Sequence, residues 1–247
     1  MEVSGIVNGL IKKKDIIFTV RKRDRRKGVR GSWLWTWGCS KVKIEHNSLR
    51  NASGPGDSAG IHIDFNCDNV IVQYNVSENN TGGFCEILGN NYNCAYRYNV
   101  SINDGYRVKQ KGVAFQEGKI FWLSGFNGKD RKRKGPFNSY FYNNTIYVKS
   151  DIEAKVAVDR ASKGALIANN IFYIEGNSKQ VLGDQYKPEV AGESTAENIF
   201  FQNNLFLKDD NWTVETPIQD DEPKFGEPLF KNAGGLGIED YKPVNTA

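Results

Sequence analysis

Cysteine is scarce in this chain and histidine scarcer, with four of the first and two of the second among 247 residues. None of Cys39, Cys67, Cys85 and Cys94 forms a CxxC pair, so the ligand spacing of a structural zinc site is missing and no metal site is expected. No apolar run approaches the ~18 residues that a membrane-spanning helix needs. The opening Met1-Glu2-Val3-Ser4-Gly5 lacks the basic start, apolar core and small-residue cleavage site of a secretory leader. Alanine and leucine are few, and no stretch carries a helical period.

What is present reads as a folded β protein. Hydrophobic residues at 39% and charged residues at 25% exclude a disordered chain. Aromatics at 12% favour strands, and the abundant asparagine favours turns between them. The net charge of +4 is concentrated in Lys12 to Arg30 and in Lys129-Asp130-Arg131-Lys132-Arg133-Lys134. Such runs are solvated loops or surfaces that meet a polyanion. No nucleic-acid module surrounds either run, so nucleic acid is not the expected partner.

The asparagines are spaced. Asn47, Asn75, Asn99, Asn144, Asn170 and Asn204 close the phrases VKIEHN, VIVQYN, CAYRYN, SYFYNN, ALIANN and IFFQNN. They fall 28, 24, 45, 26 and 34 residues apart. In each phrase the residues five and three before the asparagine are mostly apolar, the period-2 mark of a strand with one buried face. A second strand lies upstream: Asp64, Leu88 and Asp159 each stand eleven residues before their asparagine. That puts Ile61, Cys85 and Val156 in one column and Ile63, Ile87 and Val158 in another. The same count places Trp33 and Trp35 in those columns and aligns Cys39 with Cys67. The step of 45 holds a double step or a long insertion.

A repeat of roughly 25 residues with two or three short strands predicts an all-β solenoid, in which successive coils stack at ~4.8 Å. The asparagines are expected at turns, in left-handed geometry, with their amides bonding the next coil. A β-sandwich with asparagine-rich turns is the competing architecture.

From Gly31 to Tyr241 the phrasing resembles the right-handed parallel β-helix proteins of the pectate lyase superfamily, particularly bacterial polysaccharide-acting members. The closing Glu227-Pro228-Leu229-Phe230 with Gly234-Gly235-Leu236-Gly237 is similar to the tail of many such helices. The resemblance implies a single-domain right-handed parallel β-helix over 31–241, with a basic insertion near 125–135 and a tail at 242–247. Residues 1–30 are then a basic segment, the remnant of an earlier coil in a longer protein. It further implies a secreted or periplasmic monomer acting on a polysaccharide.

The stretch Gly60 to Leu88 carries the chemistry. With Ile61 and Ile63 inward, His62 and Asp64 point outward, and the columns put Glu86 over His62 on the next coil. One coil and two residues separate Asp64 from Glu86 by about 8 Å. That lies within the ~6.5–9.5 Å expected of two carboxylates that invert at a glycosidic centre. Asp57 in GPGDSAG flanks the cluster, and Gly82-Gly83 are read as leaving room for a bulky ligand. The outward strand of the following coil is either Asp104 to Lys109 or Lys119 to Leu123. Either choice sets cations (Arg107 and Lys109, or Lys119) beside the carboxylates, where they would bind an acidic sugar. Trp122, Phe126, Tyr140 and Tyr142 are candidates to stack on sugar rings, and Glu117 is a reserve acid.

Three functions follow. Hydrolysis of a glycosidic bond would use Asp64 and Glu86 as acid and base, with His62 tuning them and no cofactor. Elimination on a uronic acid would need His62, Lys109 or Arg107 as base and a cation or bound calcium on the substrate carboxylate. A non-catalytic solenoid would use the same face for binding alone. The family's catalytic motifs are incomplete here: polygalacturonases are similar only in Gly60-Ile61-His62-Ile63, their adjacent aspartates are absent, and no pectate-lyase calcium cluster is evident. Hydrolysis is the narrow preference.

Overall fold

A computed structural model describes residues 1–17, 32–107, 117–182, 196–212 and 218–244. Of the first basic run, Lys12 to Arg30, residues 18–30 lie outside them. Every third strand returns to the same sheet, and all strand pairs within the three sheets are parallel. The first sheet has seven strands: Glu2–Ser4, Leu34–Trp37, Ile61–Ile63, Cys85–Ile87, Lys119–Leu123, Ala154–Val158 and Ser178–Leu182. The second has eight: Leu10–Lys12, Lys43–Glu45, Ile71–Gln73, Ala95–Arg97, Phe137–Tyr142, Lys163–Ala168, Glu197–Gln202 and Asp220–Asp221. The third has eight: Asp15–Ile17, Ser48–Arg50, Val76–Glu78, Val100–Ile102, Thr145–Val148, Ile171–Ile174, Leu205–Phe206 and Lys224–Phe225. This is a β-solenoid-like fold, and three of its strands precede Trp33. Only two short 3-10 turns interrupt the strands among the described residues, and no helix there is long and apolar enough to cross a membrane.

Alternation explains the interior. In the second sheet Ile44, Val72, Tyr96, Phe141, Ile167 and Phe201 pair in one inward column, and all are buried. In the first sheet Ile61, Cys85, Phe121 and Val156 form one inward column and Ile63, Ile87, Leu123 and Val158 the other. Tryptophans 33 and 35 are the exception to the predicted columns. Leu34 pairs with Ile61 and Thr36 with Ile63, which leaves Trp35 over His62. Cys39 and Cys67 do stay level, the amide of Cys39 donating to Cys67 Sγ at 3.4 Å. The slip lies between: Trp37 and Gly38 span what Asp64, Phe65 and Asn66 span one coil later. Counting back from the asparagine therefore misses the register by one.

The marker asparagines form a continuous buried ladder. Each Nδ2 donates to the Oδ1 of the next asparagine at 2.9–3.0 Å, from Asn47 to Asn204. The same Oδ1 atoms accept the backbone N–H of the asparagine one coil before. Asp220 accepts from Asn204 at the far end, and the Lys14 amide donates to Asn47 at the near end. Asn99 bonds directly to Asn144, so the step of 45 residues is one coil with insertions and not two. The left-handed residue is not the ladder asparagine. It is the residue before: His46, Tyr74, Tyr98, Asn143, Asn169 and Asn203 all have φ between 53° and 55°. A side chain there is pushed outward, and the His46, Tyr74 and Tyr98 rings stack at 5.2 and 5.3 Å.

A second ladder turns the corner after the third sheet. Asn80 Oδ1 accepts from the Ala52 amide, and Asp104 Oδ1 accepts from both the amide and Nδ2 of Asn80. Burial pushes the Asp104 carboxyl up to about 7, against the pull of its hydrogen bonds from Ser77, Asn80 and Ser101.

Two predictions follow from the ladders. Asn144→Ala strips the partners of Asn99 and Asn170 together and is expected to cost about 2–4 kcal/mol in urea unfolding, whereas Asn143→Gly changes stability by less than about 0.5 kcal/mol. Equal losses would contradict the division of labour between adjacent residues. Asp104 binds its proton more tightly folded than unfolded, so its contribution is full below pH 3.8 and is lost as pH rises through about 7. Asp104→Asn keeps the acceptor without the charge and is expected to raise the unfolding free energy at pH 8 by about 1–3 kcal/mol, with no gain at pH 4.

Candidate functional site

The outward face of the first sheet is not solvated as the alternation predicts. Glu86 pairs with His62 on one side and with Trp122 on the other, so the strand that follows Glu86 is Lys119–Leu123 and not Asp104 to Lys109. His62, Glu86 and Trp122 are all buried. Connecting segments cover them. Arg107 Nη2 donates to the carbonyls of Gly54 and Gly56 at 2.9 and 2.6 Å and to Thr81 Oγ1 at 3.3 Å, fastening the loop that carries Asp57. On the other side, Asp159 Oδ2 accepts from Arg133 Nε at 3.1 Å and from the Gly125 amide at 2.7 Å, holding the basic insertion down. The glycines at 82 and 83 make the cover fit. A Cβ on Gly82 would stand 1.6 Å from the Asp57 carbonyl oxygen, and one on Gly83 would stand 2.0 Å from that of Lys119. Backbone fills the space that the sequence reading reserved for a ligand.

Beside them lies a cavity of about 370 Å³ lined by Asp57, His62, Asp64, Phe65, Leu88, Phe126 and Lys129, with Gly56 and Gly128. His62 Nδ1 stands 4.0 Å from Asp57 Oδ2 and 3.8 Å from Glu86 Oε2. Asp64 is aimed by the turn it starts: its amide donates to the Thr36 carbonyl at 2.8 Å, and its Oδ1 accepts from the Phe65 amide at 2.9 Å. Phe65 meets Phe126 edge-on at 6.1 Å and Trp37 at 5.9 Å, so an aromatic wall runs from the cavity to the 45%-exposed Trp37. Lys129, in the cavity lining, is exposed, as are Lys132 and Lys134 further along the same basic run.

Behind the imidazole the chain buries charge. Glu86 is only 2% exposed, and neither of its carboxylate oxygens has a hydrogen-bond partner among the described residues. Burial pushes its carboxyl up to about 7, with Asp57 and Asp64 adding to the rise while His62 and Lys119 oppose it. Lys119 Nζ sits 2.9 Å from the centre of the Trp122 ring, and burial pulls its ammonium well below the usual lysine range.

The predicted residues thus divide. Asp57, His62 and Asp64 meet at the cavity, and Glu86 stands one layer behind. Lys119 and Trp122, both 1% exposed, do not line the cavity. Arg107 is taken up by the loop it fastens, and Lys109 lies outside the described residues. Glu117 borders a separate cavity with Arg107, Glu153 and Lys155, Tyr140 faces a groove on the second sheet, and Tyr142 accepts from Arg97. Phe126, a predicted stacking residue, is in the wall. Phe65, Leu88, Lys129 and Trp37 were missed. Among the described residues no group of three or more His, Cys, Asp or Glu side chains is arranged to hold a metal ion. No protein-family model matches the chain, and no curated protein matches it.

Arg107→Met removes the fastening without touching the cavity wall. Hydrogen exchange at 54–59 is expected to speed up while the strands Ile61–Ile63 and Cys85–Ile87 keep their protection. Unchanged exchange at 54–59 would show that the loop is held by other contacts.

Proposed function

We propose that this chain is a polysaccharide-active enzyme that cleaves glycosidic bonds of an anionic polysaccharide, by hydrolysis. The observation that supports it most is the cavity that gathers two carboxyl groups, Asp57 and Asp64, and one imidazole, His62, beside an aromatic wall. Glycosidic cleavage needs a proton for the departing oxygen and a second carboxylate for water or the sugar carbon. Glu86 does not line the cavity, so the partner of Asp64 in this reading is Asp57. Aromatic faces suit the C–H faces of sugar rings, and Lys129 with its basic neighbours suits a substrate that carries carboxylate or sulfate groups. The sheets would then wind as a right-handed parallel β-helix, as in the pectate lyase superfamily, with the substrate along the coils.

A second reading, β-elimination on a uronic acid, is favoured by one feature. The cavity sets a single imidazole, a base, near the cation of Lys129, which would neutralise the uronate carboxylate. Both readings are separated from a purely binding role by the products.

Incubation with a panel of acidic polysaccharides is expected to release new reducing ends without unsaturated uronates. Unsaturated ends, seen by their ultraviolet absorbance, would mark elimination. Asp64→Asn is expected to lower turnover by about 10²–10⁴-fold while binding persists. Retained binding with no product from the unaltered chain would leave a carbohydrate-binding solenoid and sink the enzymatic reading.

A further inference from the structure

We propose that Glu86 is a positioning residue: it acts on the cavity through His62, setting the charge of the imidazole from the adjacent coil. This rests on the reading of the cavity as a glycosidic site, but its geometry stands apart from any substrate.

Register comes first. Glu86 is the residue paired with His62 across the sheet, so the backbone sets the two side chains one strand spacing apart on the same face. The carboxylate faces His62 Nδ1 at 3.8 Å, and nothing in the described residues hydrogen-bonds either of its oxygens. A buried carboxylate with no donor is costly unless a charge stands near it. His62 is that near group. Asp57 and Asp64 face Glu86 from the cavity side and Lys119 from the coil beyond, with Glu117, Lys155 and Asp159 acting on Lys119 in turn.

The arrangement is directional. Asp57 competes for the same Nδ1 at 4.0 Å but is partly open to water, whereas Glu86 is sealed. The sealed charge is the less screened and therefore the stronger influence on the ring. Coupling of two proton sites is reciprocal, so the charge on His62 that draws the Glu86 proton off is matched by an equal pull of Glu86 on the His62 proton. Lys119, held over Trp122, approaches Glu86 from the far side without reaching the cavity.

The chain has only two histidines, which makes the test direct. The ring protons of His46 and His62 are followed by NMR across pH in the full chain and in Glu86→Gln, with His46, on an exposed turn, as internal reference. Loss of the carboxylate is expected to lower the His62 midpoint by roughly one unit or more and to leave His46 unmoved. Glu86→Asp is the second variant. It keeps the carboxylate but draws it back from Nδ1, so it should move His62 in the same direction by less. An unmoved His62 midpoint in Glu86→Gln, or in Glu86→Asp should the first variant fail to fold, overturns the proposal. Where a cleaved saccharide is found, Glu86→Gln is expected to lower kcat with KM unchanged and to shift the pH profile. A rise in KM alone would also overturn it. A chain inactive on every saccharide but showing the His62 shift leaves this inference standing and removes the enzymatic reading instead.

Discussion

The side-chain amide ladder from Asn47 to Asn204 is the interaction on which the rest of the molecule depends. A parallel strand three residues long holds little register by itself, since few backbone bonds would be lost if it slipped. Each asparagine adds a fixed point: its carbonyl accepts from both the backbone and the side chain of the coil before, and its amide hands the pattern on. The ladder is buried, so any slipped register would leave amide groups without partners, at about 1–3 kcal/mol each. Phase set at this turn fixes which residues face inward in the strands that follow, and so places His62, Glu86 and Trp122 in one outward column.

That outward column is where the molecule departs from a simple solenoid. An ordinary coil leaves its outer face to water, and polar residues there need no explanation. Here the coil between Asn99 and Asn144 is lengthened, and among its described residues Arg107 holds the loop that carries Asp57 while Gly125 and Arg133 bond to Asp159 beside the first sheet. Covering converts solvated side chains into buried ones. Glu86 and Lys119 lose water on both sides and are driven toward their neutral forms, while Asp57, Asp64 and His62 keep a cavity of their own. The cost of enclosing charge is accepted at this place along the coils, beside an aromatic wall and Lys129. Such a concentration of titratable groups in a recess is what acid–base chemistry on a polar substrate needs.

How much of this the sequence carries depends on the range of the interactions. The repeat was legible because the asparagine column and the alternation are local and recur: the coils, the strand columns upstream of each asparagine and the pairing of Glu86 with His62 follow from spacing, whereas the number of strands per coil, two or three, did not. The left-handed position was misplaced by one residue, since asparagine is suited both to the ladder and to positive φ, and only tyrosines and histidine at the neighbouring position separate the two roles. The one-residue slip at Trp35 hid in a turn whose length varies between coils. The cover was not legible at all. That Gly82 marks a close backbone approach, that Arg107 fastens a loop and that Glu86 sits behind His62 rather than at the cavity depend on insertions whose paths no periodicity describes.

The central claim is that the recess between Asp57 and Lys129 receives an anionic saccharide. A crystal structure of the chain with a bound acidic oligosaccharide tests it most directly. The account predicts a sugar ring against Phe65 and Phe126, its glycosidic oxygen within reach of Asp57 or Asp64 and its acidic group toward Lys129. A saccharide seated instead on the Tyr140 and Phe200 groove of the second sheet, with the recess empty at saturating ligand, would contradict it.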